Sequence, residues 1–156
     1  MKKLIRSLIL LLLLGIGLYL GSQFLFSTQN VIEEPVVEEK IDVDGAYTSK
    51  EDVALYIATY GKLPSNFVTK AEAKKMGWEA SKGNLQKVCK GCSIGGDSFS
   101  NREGILPKKK GRKYYECDID YQGGTRNAKR IVFSNDGLIY YTEDHYNSYE
   151  LLYGEP

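Results

Sequence analysis

The chain has 156 residues, 21 basic and 20 acidic, and a formal net charge of +1. With 42% hydrophobic residues and 12 tyrosines it is too apolar for a disordered chain, and its length leaves room for one modest domain behind a distinct amino-terminal segment. Residues 1–40 hold four basic and four acidic residues, so the remainder is also at +1; binding of nucleic acid through bulk charge is excluded, and any polyanion site must be a local cluster.

Residues 1–27 open with Lys2, Lys3 and Arg6 and then carry no charge. This is the pattern of a signal peptide or a signal anchor, and either places the domain outside the cytoplasm. The strongly apolar stretch, 8–21, is short for a span of about 20 residues, yet no small-x-small cleavage site follows, so both forms stay open. Residues 28–47, acidic and broken by Pro35, read as a flexible linker. Residues 48–156 read as the folded domain.

Thr48 and Ser49 before Glu51 and Asp52 predict a helix start. Val53, Leu55, Tyr56, Ala58 and Tyr60 form its expected apolar face, and Gly61 stops it. Thr69 predicts the cap of a second helix over 70–76, and a short third one is expected around 84–89. After Gly91 the texture changes to short alternating runs. In 113–121, Tyr115, Cys117, Ile119 and Tyr121 share one strand face, and Tyr114, Glu116, Asp118 and Asp120 the other. Strands at 130–133 and 138–141 are joined through Asn135-Asp136-Gly137, a hairpin signal. Helices first and an antiparallel meander second imply an α+β fold, with amino-terminal helices packed on one face of an antiparallel β-sheet and the other face left to hold a site.

Glu116 is by default a solvated strand glutamate and His145, the only histidine, a surface group; brought together, they would supply a base and an acid near neutral pH. Arg126 and Arg130 have a fork geometry suited to phosphate oxygens, although charged sheet edges are common. Lys108, Lys109, Lys110, Arg112 and Lys113 read as a solvated basic loop that could also steer a polyanion. Gly95-Gly96, Gly104 and Gly123-Gly124 lack the spacing of phosphate-cradling loops and are expected to be turns. Cys89 and Cys92 form a CxxC pair, for which an oxidising exterior favours a local disulfide. A zinc site built from Cys89, Cys92, Cys117 and His145 lacks a second close pair; a redox motif lacks its preceding strand. Cys117 is expected to be a buried thiol.

The stretches TYGKLPSNFVTKAEAKKMGW, ASKGNL, SIGGDSFSNREG, LP, GRKYYECDIDY, RNAKRI and DHYNSY, in that order, resemble the barnase-type family of bacterial guanyl-preferring ribonucleases and cover most of residues 48–153. Residues 1–47 lie outside the resemblance. Gly61, Tyr114 and Gly137 depart from the family pattern, as does the CxxC.

The resemblance implies an extracellular endoribonuclease that cleaves single-stranded RNA after guanine, first to a 2′,3′-cyclic phosphate and then by hydrolysis. Glu116 would be the general base toward the 2′-hydroxyl and His145 the acid for the departing 5′-oxygen. Arg126, Arg130 and Lys70 would hold the phosphate. Phe99, Ser100, Asn101, Arg102 and Glu103 would read guanine, and Tyr146 would stack beside the site. RNA supplies its own nucleophile, so neither metal nor cofactor is implied, and DNA lacks the reacting hydroxyl. A barstar-like acidic inhibitor protein is a further implied partner, the molecule is expected to be a monomer, and membrane contact is expected only through the amino-terminal segment. The alternative is a catalytically silent cell-surface RNA-binding module of the same fold.

Overall fold

The computed structural model describes residues 40–156. The proposed signal segment and residues 28–39 of the linker lie outside them. Ser49 caps helix α1 (Lys50–Tyr60) by accepting from the Asp52 N–H, and Glu51 and Asp52 set negative charge against the positive end of the helix dipole. Gly61 ends the helix at φ 66°, a left-handed conformation that side chains with a Cβ resist. The buried stripe is Val53, Ala54, Tyr56 and Ile57. It is rotated from the expected face, because a 3.6-residue repeat that buries Val53 and Ile57 turns Ala58 outward, where it is exposed.

Strand β1 (Phe67–Val68) leads into α2 (Lys70–Lys75), which opens with a complete capping box between Thr69 and Glu72. A 3₁₀ turn (Ala80–Lys82) and α3 (Leu85–Val88) follow. Five strands complete the fold: β2 (Ser93–Phe99), β3 (Tyr114–Asp118), β4 (Arg130–Ser134), β5 (Ile139–Thr142) and β6 (Glu150–Tyr153). They form one sheet in chain order, antiparallel throughout except that β1 runs parallel to β2. The architecture is therefore α+β with an antiparallel-rich sheet.

Three strands, β1, β2 and β6, go beyond the sequence reading. Gly95 and Gly96 are not a turn: they lie inside β2, where the register against β3 shifts between Gly95 and Asp97. A Cβ on Gly95 would sit 2.6 Å from the Cys117 Cβ, so only glycine allows this approach.

Alternation divides the sheet residues between two faces. On one, Cys117, Ile119, Ile131, Phe133 and Ile139 bury against Val53, Ala54 and Ile57 of α1. A second cluster joins Ala73, Trp78, Leu85, Ile94 and Tyr121 around α2 and α3. The opposite face is half core and half site: Tyr114, Val132 and Tyr140 pack under Leu106 and Leu138. Glu116, Asp118 and Arg130 line the rest.

Residues 40–47, expected to belong to the linker, pack on the domain instead. Ile41 is 7% exposed. The Tyr60 hydroxyl donates to the Ile41 carbonyl and the Tyr56 hydroxyl to the Val43 carbonyl, both at 2.7 Å. Burial of Ile41, and the packing of partly buried Tyr47 against the α1 core, outweigh the acidic character of the segment.

Candidate active site

Glu116 sits mid-strand on β3, opposite Asp97 of β2 and Val132 of β4. Asp97 accepts from the backbone N–H of Lys70 at 2.9 Å, which fixes the first residue of α2 against the sheet. The Lys70 side chain then reaches back, its Nζ 2.5 Å from Glu116 Oε1. The other carboxylate oxygen, Oε2, accepts from the Tyr146 hydroxyl. Glu116 is only 8% exposed. Burial alone would raise its pKa; hydrogen bonds from Lys70 and Tyr146, with the charges of Lys70 and Arg126, outweigh that effect and hold it below the usual carboxylate range. Burial and the Glu116 carboxylate push the Tyr146 phenol up, so it stays a donor.

His145 is exposed, and its ring lies against that of Tyr146, centroids 4.7 Å apart. Tyr146 thus touches both groups, its hydroxyl on Glu116 and its ring on His145. Both His145 (φ 56°) and Tyr146 (φ 75°) adopt the left-handed conformation. Two successive non-glycine residues in this region need outside support. Asp144 supplies it: its carboxylate accepts from the Ser148 hydroxyl and N–H, the Thr142 hydroxyl and the Asn147 N–H. Those bonds, the Ser148 hydroxyl foremost, hold its pKa at about 2. Asp144 is a positioning residue that the sequence reading missed, although Asp, Ser and Asn around a histidine are a turn signal.

The arginines form the third component. Arg130 on β4 lies opposite Asp118 on β3 and Thr142 on β5. Asp118, 1% exposed, receives Nε and Nη2 of Arg126 at 2.6 Å each. Arg130 is 3% exposed; its Nη1 donates to the Asn127 and Lys129 carbonyls at 2.7 Å. Its Nε is 2.9 Å from Asp118 Oδ1 but out of line for a hydrogen bond. Burial would lower the Arg126 pKa, but Asp118 raises it on balance, so the guanidinium stays charged. Among the described residues, Arg126 Nη1 has no hydrogen-bond partner. Asp118 therefore pre-orients two cations beside Glu116, a role that its placement on the polar strand face did not reveal. The structure brings Glu116, Lys70, Arg126 and Tyr146 together directly, with His145 joined through Tyr146.

The loop after β2 makes the rim. Phe99 stacks on Tyr146, centroids 5.2 Å apart. The Asn101 side chain does not face outward: it donates to the Leu106 carbonyl and accepts from the Leu106 N–H, closing the loop from within at φ 43°. Arg102 and Glu103 are exposed, and together with Ser100, His145 and Tyr146 they line one open cleft.

Cys89 and Cys92 are joined in a disulfide, and Cys117 is a buried free thiol. The four side chains of the zinc alternative are thus divided among a disulfide, the core and an exposed loop. Among the described residues, no three His, Cys, Asp or Glu side chains group as metal ligands.

Residues 50–153 match the family model described as ribonuclease. A ribonuclease of Heyndrickxia coagulans is 54% identical over 99 residues, 64% of this chain and 91% of that protein. A ribonuclease of Bacillus intermedius is also 54% identical over 99 residues, which span 61% of its length. Guanyl-specific ribonuclease St of Saccharopolyspora erythraea is 44% identical over 57 residues, 36% of this chain and 56% of that protein.

Proposed function

The chain belongs to the ribonuclease family, in its barnase-type microbial branch, and on that premise we propose that it is a metal-independent endoribonuclease cutting single-stranded RNA after guanine, with the fold of that branch. RNA is the substrate that the family acts on. The observation that carries the finer reading is Tyr146, which touches Glu116 with its hydroxyl and His145 with its ring while Lys70 and Arg126 stand beside the same carboxylate.

Glu116, held ionised, takes the proton of the RNA 2′-hydroxyl once substrate displaces the Tyr146 hydroxyl from Oε2. The 2′-oxygen attacks the adjacent phosphorus and the P–O5′ bond breaks. His145 gives its proton to the departing 5′-oxygen, leaving a 2′,3′-cyclic phosphate. In the hydrolytic step the roles reverse: His145 accepts a proton from water and Glu116 returns one to the 2′-oxygen. Lys70, Arg126 and Arg130 oppose the charge that grows on the phosphoryl oxygens, and their prior fixation by Glu116 and Asp118 limits reorganisation.

Guanine binds in the cleft lined by Phe99, Ser100, Arg102 and Glu103, with Asn101 bracing the loop from within. The braced loop presents backbone N–H groups to the guanine carbonyl oxygen, and the Glu103 carboxylate accepts from N1–H and N2–H. The name of the Saccharopolyspora relative supports this preference. An exported location, monomeric state, membrane contact only through residues 1–27, and a cognate acidic inhibitor belong to the same reading.

The test uses an RNA with a single guanine, incubated with residues 40–156 in chelator. Cutting on the 3′ side of guanine is expected, with Glu116→Ala and His145→Ala each slower by about 10²–10⁴-fold. Cleavage that required metal, or survived both substitutions, would overturn the mechanism. Tight RNA binding without turnover would favour the silent RNA-binding module.

A further inference from the structure

The basic run at 108–113 lies outside the catalytic cluster, and the mechanism above does not use it. It forms one wall of a second open groove, which adjoins the His145 cleft along the 99–102 segment. The groove and the cleft share Phe99, Ser100 and Arg102. Five cations line the groove, Arg102, Lys108, Lys109, Arg112 and Lys113, and among the described residues no carboxylate does. For a chain at net +1 this is a marked local excess.

One of these cations is built in. The Arg112 side chain is 5% exposed, with its Nε held by Asp136 Oδ1 and Oδ2 at 2.9 and 3.0 Å and its Nη1 donating to the Pro107 carbonyl at 3.2 Å. Lys109 is 3.7 Å from the same Asp136. Lys108 and Lys113 are exposed and have no salt-bridge partner among the described residues. A fixed guanidinium flanked by exposed ammonium groups, with Phe99 at the shared wall, suits a phosphodiester backbone with bases that can stack.

We propose that this groove is a second RNA subsite, taking the phosphates of nucleotides flanking the one read in the cleft. The inference rests on the RNA-cleaving reading above. Continuity through Arg102 favours one strand crossing the 99–102 segment, from groove to cleft. An acidic protein partner at the same surface is the competing outcome.

The experiment compares Lys108→Gln/Lys109→Gln/Lys113→Gln with a control of equal charge change at exposed sites elsewhere, Lys62→Gln/Lys75→Gln/Lys87→Gln. The binding probe is a fluorescent single-stranded 2′-deoxyoligonucleotide of about 12 nucleotides with one guanine, which cannot react. The groove variant is expected to bind it on the order of tenfold more weakly, with a log Kd against log salt slope shallower by about 2, as follows from about 0.7 per lost phosphate contact. Its cleavage of the dinucleotide guanylyl-cytidine is expected to stay within about twofold of the parent, while KM on the matching longer RNA rises with the binding loss. Equal loss in the control, unchanged binding by the groove variant, or equal loss on dinucleotide and longer RNA would each overturn the proposal. A parent chain that cleaved neither RNA would defeat the catalytic reading and still leave the binding arm to decide the groove.

Discussion

Glu116 is pulled in opposite directions by its surroundings. Burial favours the neutral acid, whereas Lys70, Tyr146 and Arg126 favour the carboxylate and prevail. Protonation of the free enzyme's base sets the acid limb of kcat/KM, so that limb is expected below the ordinary glutamate value of about 4.3. Lys70→Met removes the hydrogen bond and charge while burial stays, so the pKa rises and the limb moves to higher pH. Activity near pH 4–5, relative to the plateau, should fall even after the lower plateau rate is taken into account. A pH profile of kcat/KM for the two proteins measures this; an acid limb unmoved, or moved downward, would show that Lys70 does not control the base. The candidate pair itself could be read from residue types and order, whereas Asp118 and Asp144 could not. Their effect depends on tertiary hydrogen bonds, from Arg126 to Asp118 and from the 142–148 turn to Asp144, and a carboxylate that anchors a cation or a turn looks in sequence like a solvated one.

At the scale of elements, legibility followed the strength of local rules. α2 was readable because Thr69 and Glu72 form a capping box, and the β4–β5 hairpin because Asn135-Asp136-Gly137 closes it, with Ser134 N–H on the Leu138 carbonyl at 2.8 Å. β6 was not, since Glu150, Leu151 and Tyr153 are exposed and no alternation of burial marks it. β2 was hidden by its bulge, where two glycines read as a turn. That bulge has a function in the fold: it shifts the register so that Asp97, which holds the start of α2, lies opposite Glu116. Gly95→Ala would drive a methyl to 2.6 Å from the Cys117 Cβ and 2.7 Å from Phe67 Cδ1. Overpacking of this kind costs about 1–3 kcal/mol. Chemical denaturation should show a lower midpoint, and because β2 carries Asp97, lower activity at temperatures where the variant is still folded. An unchanged midpoint would mean that β1 and β3 part more easily than their close packing implies.

For the whole molecule, the near-neutral charge conceals a division of labour. Cations gather in two places, Arg102, Arg112 and their lysines along the groove and Arg126 with Arg130 around Asp118, while the acids Glu51, Asp52, Glu72 and Asp136 serve helix starts or pin a cation in place. The domain's extent also differs from its outline in sequence, where acidity and Pro35 extended the linker to residue 47. The carbonyls of 41 and 43 accept from two tyrosines of α1, so a domain begun at residue 48 leaves the Tyr56 and Tyr60 hydroxyls without their acceptors and loses the buried Ile41 side chain. Loss of one buried aliphatic side chain and of acceptors for two hydroxyls amounts to about 2–4 kcal/mol. For a domain of this size that corresponds to a fall in Tm on the order of 10 °C. Thermal unfolding of 40–156 and 48–156, side by side, measures it, with Tyr60→Phe expected to reproduce only the part owed to one hydrogen bond. Equal melting temperatures for the two lengths would mean that residues 40–47 contribute nothing to the stability of α1, and would return the boundary to residue 48.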